Sequence, residues 1–198
     1  RTSGETDVVR CATVERRAAW TRRSFLRVLL IGASPAVVRL ATPSPAAAGD
    51  QPATLSLYNV HTGEGLAVTY RHASGQYDAA ALSALNHLLR CHYTGQAGAM
   101  DPRVIEFLNA VDKRLGGRQE IHVISGFRSR AYNDWLVRHG RGVSRRSLHL
   151  VGRAIDVRFP RVDLAIVTRV ALGLRQGGVG YYPEPDFVHL DSGRIRSW

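Results

Sequence analysis

Alternation of apolar and polar positions is the first order visible in this chain. Residues 55–60 and 66–70 alternate on either side of His61, Thr62, Gly63, Glu64 and Gly65, a turn-forming run, and read as a β-hairpin. Ala80, Leu82, Leu85, Leu88 and Leu89 recur at helical spacing within 79–90. Asp101 and Pro102 carry an N-cap and N1 signature, opening a helix that runs to 115, where Gly116 and Gly117 stop it. A short strand follows at 121–125, a helix at 131–138 and a polar, basic loop at 140–146. Residues 154–159 alternate as a strand, and 163–176 form an amphipathic helix. Gly177 and Gly178 begin a turn, and 187–190 is the last strand. Helices and short strands interleave irregularly, so the expected class is α+β.

The first fifty residues obey a different pattern. Arg22, Arg23, Ser24, Phe25 and Leu26 precede a mildly apolar stretch at 28–41, broken by Pro35 and Arg39. A Pro/Ser/Ala run then ends at Ala46, Ala47 and Ala48. A charged region, a short apolar region and a small-residue cleavage site make a secretory signal. The paired arginines look like the twin-arginine variety. The expected division is an export signal with an N-terminal extension at 1–48 and one folded domain at 49–198, destined for the periplasm. An amphipathic helix with a chance arginine pair is the competing reading. The apolar stretch is shorter than the roughly 18 residues of a membrane span, so no transmembrane anchor is expected after signal removal.

Composition narrows the function. The apolar share of 44% with 22% charged residues fits a globular protein. Of 27 basic residues only Lys113 is a lysine, which reads as compositional bias. Residues 51–198 hold 19 basic and 12 acidic residues, a net +7 that favours acidic surroundings such as a polyanionic cell wall. The arginines are scattered and nothing resembles a nucleic-acid module, so no nucleic-acid partner is expected. Cys11 leaves with the signal, and Cys91 is then alone, too little for a disulfide framework or a cysteine-built metal site. Cys91 reads as a packing residue rather than a nucleophile.

The chemistry-bearing residues lie in the last seventy positions. Ser147, His149, Gly152, Ala154 and Asp156 form one group, and Asp186, His189 and Asp191 another. On one continuous helix His149 and Asp156 would stand about 10 Å apart along the axis, too far to share an ion comfortably. Gly152 and the alternation after it argue for a loop that doubles back into a strand and brings both to one point. His189, on a neighbouring strand, would complete a His–Asp–His set with water in the fourth position, the form of a catalytic zinc site. Spacing alone leaves open that Asp156 pairs with an arginine and the histidines are surface or core residues. Asp191 shares a strand face with His189, so it could orient that ligand or act as a base.

These motifs carry a resemblance. The pattern Ser-x-His-x-x-Gly-x-Ala-x-Asp, followed by an acid three residues before a histidine, resembles the D-alanyl-D-alanine-type, hedgehog-fold zinc peptidases. Ser125, Gly126, Phe127, Arg128 and Ser129, with Asn133, are similar to that clan's Gly-Tyr-Arg-Ser segment. The stretches 177–183 and 187–198 are similar to the MepK-like murein endopeptidases, a family of exported wall hydrolases. The resemblance spans nearly all of 53–198. It implies a small antiparallel sheet flanked by helices, Zn2+ on His149, Asp156 and His189, and Arg128 steadying charge on the scissile carbonyl. Asp186, in a turn before the last strand, is the implied general base, with Asp191 the alternative. The implied substrate is the peptide stems of peptidoglycan, cut at diaminopimelate-containing cross-links. Two rival functions remain: carboxypeptidase trimming of D-Ala, and a zinc-containing wall-binding module without turnover.

Overall fold

The computed structural model describes residues 51–117 and 119–198. The expected export signal lies outside the described residues. Strands β1 (Ala53–Asn59) and β2 (Glu64–Arg71) form the antiparallel hairpin. Helices α1 (Ala79–Leu88) and α2 (Pro102–Arg114) follow, then β3 (Glu120–Ser125) and α3 (Arg130–Arg138). A 3₁₀ turn (Leu148–Val151) leads into β4 (Ala154–Arg158) and α4 (Leu164–Leu174). The chain continues through β5 (Gly178–Tyr182), β6 (Phe187–Asp191) and β7 (Arg196–Ser197).

The α+β class is as expected, but the sheet is neither small nor wholly antiparallel. Seven strands run in the order β2-β1-β3-β4-β6-β5-β7. The β1–β3 and β5–β7 pairs are parallel, and the other four are antiparallel. The two expected helices α1 and α2 supply the long crossover that a parallel β1–β3 pair requires. Strand β5 occupies the place where Gly177 and Gly178 suggested a turn. Its glycines serve close approach instead: a Cβ on Gly178 would collide with the Asp191 carboxylate, and one on Gly180 with Trp198 and Tyr182.

Element ends follow from identifiable hydrogen bonds. Strand β1 stops at Asn59 because its side-chain oxygen accepts from His61 N–H at 3.0 Å and Thr62 N–H at 3.3 Å. The same amide donates to Leu88 O, and Phe127 N–H donates to Leu89 O, so the last carbonyls of α1 have partners outside the helix. Asp78, Asp101, Ser129 and Asp163 cap the four helices with side-chain oxygens.

The sheet has two unlike faces. Leu55 and Leu57, Ile121 and Val123, Ile155 and Val157, and Val188 and Leu190 point to one side and are at most 1% exposed. Helices α1, α2 and α4 pack against the sheet, α2 burying Val104, Ile105, Phe107, Leu108 and Val111 in the same core. The intervening residues Asp156, His189 and Asp191 therefore face away from the apolar core.

Gly152 joins the layers. It has φ of 65°, its carbonyl accepts from Asp101 N–H at 2.8 Å, and a Cβ there would collide with the Ala99 carbonyl oxygen. Gly152→Ala is expected to lower stability by roughly 1–3 kcal/mol, several degrees in a thermal melt. Gly142→Ala, with φ of 67° but open space for a Cβ, is expected to lose distinctly less in the same melt.

Candidate metal centre

Strand register assembles the centre. On neighbouring strands Asp156 lies directly opposite His189, and Ala154 opposite Asp191. His149 arrives from the 3₁₀ turn, capped at its start by the Ser147 hydroxyl and closed by the left-handed Gly152. His149 O accepts from Arg128 N–H at 3.0 Å, stitching the turn to the segment that leads into α3. The loop doubling back at Gly152 is thus as the sequence suggested.

His149 Nε2 lies 3.3 Å from Asp156 Oδ1 and 3.3 Å from His189 Nδ1, and His189 Nδ1 lies 2.7 Å from Asp156 Oδ1. Donors about 2.1 Å from a tetrahedral zinc stand about 3.4 Å apart, so the two separations from His149 fit one ion, while His189 and Asp156 lie at hydrogen-bond distance and would part slightly to admit it. Tautomers point the same way. His149 Nδ1–H donates to Gly126 O at 2.8 Å, which turns the Nε2 lone pair toward the other two donors. His189 Nε2–H donates to Asp191 Oδ2 at 3.2 Å, leaving Nδ1 for either a proton or a cation. The donor set therefore fits a metal ion, with Asp191 orienting one ligand from behind.

Electrostatics agree. Burial holds His149 below its ordinary value, so it stays neutral. Burial opposes charge on His189 as well, but its bonds to Asp156 and Asp191 raise it to about 9. Burial would raise Asp156, yet His149 and His189 keep its carboxyl well below the usual range. Below pH 9 a cation must displace the His189 proton that otherwise bridges to Asp156.

A cavity of about 450 Å³ opens over these atoms. The loop between α3 and the 3₁₀ turn forms one wall, with Arg141 and Arg146; Tyr182, Pro185, Phe187, Arg196 and Trp198 form the other. Arg128 is 7% exposed and reaches the cavity. Its Nη2 lies 3.7 Å from Asp156 Oδ2, its Nη1 donates to Asn133 Oδ1 at 3.4 Å, and its buried Nε has no partner. It is held in place while retaining donor capacity.

The two acids sit very differently. Asp191 is completely buried and accepts from Arg196, Gly178 N–H and Gly193 N–H besides His189. Asp186 lies in the turn before β6 with φ of 53°, outside the cavity lining, and its exposed carboxylate meets Arg158 Nη1 at 3.1 Å. Cys91 is buried and donates to the Ser129 hydroxyl, as a packing residue would. Sequence reasoning passed over Tyr182, Arg196 and Trp198. Arg196 stands five residues after Asp191, a pairing with no recognisable spacing signal. Among the described residues no other group of three or more metal-ligating side chains occurs, and no helix is long and apolar enough to cross a membrane.

Three imidazole and carboxylate donors beneath an open cavity, with a guanidinium beside them, define a hydrolytic metalloenzyme site. A profile of the peptidoglycan L,D-endopeptidase MepK family matches residues 47–198, and the chain belongs to that family. It is accordingly a metallopeptidase of peptidoglycan cross-links. It is 36% identical over 165 residues to the peptidoglycan L,D-endopeptidase MepK of Escherichia coli strain K12, covering 83% of this chain and 86% of that protein. It is 40% identical over 149 residues to the probable peptidoglycan L,D-endopeptidase MepK of Haemophilus influenzae, covering 75% and 80%. No solved structure gives a significant match.

Two outcomes follow from this geometry. Because one proton leaves His189 on loading, metal affinity should fall about tenfold for each pH unit below 9, measured by chelator competition at pH 6, 7 and 8. Asp191→Asn should weaken metal binding by about 10–100-fold in the same assay, since it replaces the carboxylate that orients His189 with a neutral amide having one acceptor oxygen.

Proposed function

We propose that this enzyme hydrolyses peptidoglycan cross-links with Zn2+ held by His149, Asp156 and His189. The convergence of His149 Nε2, Asp156 Oδ1 and His189 Nδ1 carries this reading. Bound there, zinc supplies a Lewis acid and a water of lowered pKa. The protein's own residues do the rest. Gly126 O and the Asp191 carboxylate fix the two imidazole rings. Arg128 lines the cavity with a guanidinium whose terminal nitrogens each make one bond to Asn133 or Ser125 and keep a further N–H, suited to an oxygen that gains negative charge during attack on the scissile carbonyl.

The two acids are given separate tasks. Asp191, enclosed by its donors, is the positioning residue for His189. Asp186 is the base that takes the proton from the attacking water and returns it to the leaving amine. What supports this is its exposed, singly paired carboxylate, flanked by the wall residues Pro185 and Phe187. An exposed ion pair of this kind contributes about 1 kcal/mol or less, so Arg158 can release it. Export by the twin-arginine route to the periplasm, where the substrate lies, completes the reading; Arg22, Arg23 and the run to Ala48 support it.

The test uses metal-stripped protein reloaded with zinc and given L,D-cross-linked muropeptide dimers. Zinc should restore conversion to monomers in the wild type and not in His189→Ala. Asp186→Asn should keep its zinc while kcat falls at least about 100-fold. Unchanged kcat in that variant would remove Asp186 from the base role. Arg128→Ala should lose about 100- to 1,000-fold in kcat with zinc retained.

A further inference from the structure

Two of the four arginines in the cavity wall already have carboxylate partners. Arg128 is held beside Asp156, and Arg196 clasps Asp191 with both terminal nitrogens. Arg141 and Arg146 meet no carboxylate among the described residues, although both line the cavity. They belong to the polar, basic loop after α3, which the hydrolytic chemistry above leaves without a task.

That loop is anchored along its length. Gly140 N–H donates to Val137 O at 3.2 Å, and Arg141 N–H to Leu136 O at 3.1 Å. Arg146 N–H donates to the Ser144 hydroxyl at 3.1 Å. Ser144 O accepts from Asn133 Nδ2 at 3.2 Å. Asn133 is fully buried, and its other amide atom accepts from Arg128 Nη1. One buried amide therefore holds both the guanidinium beside the metal site and the loop bearing the two unpaired ones.

We propose that Arg141 and Arg146 form a carboxylate subsite that makes the enzyme selective for cross-links ending in a free acid. In an L,D bond the scissile nitrogen sits on a D centre, and that carbon bears a carboxyl group only a few bonds from the reacting carbonyl. Where the cross-link ends there, the group is a free carboxylate, an acceptor-only fork matched to guanidinium donors. The cavity wall offers four cationic side chains and, beyond the metal ligand Asp156, no carboxylate. A neutral carboxamide at the same place would leave the charge of both arginines unanswered. The inference rests on the peptidase reading above.

The experiment compares L,D-cross-linked dimers whose D-centre carboxylate is free or converted to the carboxamide. Zinc-loaded wild type is set beside Arg141→Ala, Arg146→Ala, the double variant and Arg145→Ala. Arg145 carries the same charge on the same loop but does not line the cavity. Wild type should favour the free acid at least about tenfold in kcat/KM. The double variant should lose that preference through KM, cleave the carboxamide as wild type does, and leave kcat unmoved. Arg145→Ala should behave as wild type. Equal cleavage of both substrates by wild type, or an equal loss in Arg145→Ala, overturns the proposal. If wild type cleaves neither dimer, the peptidase reading fails by itself, and the subsite is read from calorimetric titration with the two dimers. Binding that prefers the free acid and disappears in the double variant sustains it; equal binding of both overturns it.

Discussion

Everything at this centre depends on the pairing of β4 with β6. Asp156 faces His189 across two adjacent strands, and the same register places Ile155 against Leu190 and Val157 against Val188 in the apolar core. Because side chains alternate, a slip of one residue would drive the donors into the hydrocarbon interior and the aliphatic residues into the cavity. The burial that stabilises the sheet is therefore the same force that sets the donor separations. Register sets where Asp156 and His189 stand, and the Asp191 carboxylate then fixes the His189 ring.

The remaining groups are attached to this pair by main-chain bonds. The 3₁₀ turn is tied to α2 through Gly152 and Asp101, and to Arg128 through His149 O. Asp191 extends the β6 face by two residues and is locked by Arg196 from the short β7 edge. The bare backbone of Gly178 lets that carboxylate approach β5 closely. An enzyme that must not lose geometry when substrate arrives gains from donors mounted on strands and orienting groups held by backbone.

How much of this could be read in advance differs by residue. For His149, Asp156 and His189, Gly152 marked a reversal that could bring them together, but spacing left their pairing open and it was the resemblance of the surrounding motifs that singled them out. The helix starts were legible because Asp101 and Pro102 have one common use. The parallel β1–β3 pair was not, since local alternation is identical whether a strand's neighbour runs with it or against it. Strand β5 was hidden because Gly178 and Gly180 have poor strand propensity and are there for the side chains crowding them. Parity showed that Asp191 shares a face with His189, but not that Arg196 encloses it. Nor could sequence show that Asp186 would lean on Arg158, a partner 28 residues earlier.

The two unlike faces of the sheet have a consequence for the metal centre. In many small metal-binding domains the ion is the organising centre, and the chain is unfolded without it. Here the rings are held by the protein itself, His149 by Gly126 O and His189 by the Asp156 and Asp191 carboxylates. The core lies on the opposite face of the sheet and owes nothing to the metal. The side chains that stabilise the sheet and those that would hold the ion thus lie on opposite faces of the same two strands, so the donors can be altered without disturbing the hydrocarbon packing beneath them.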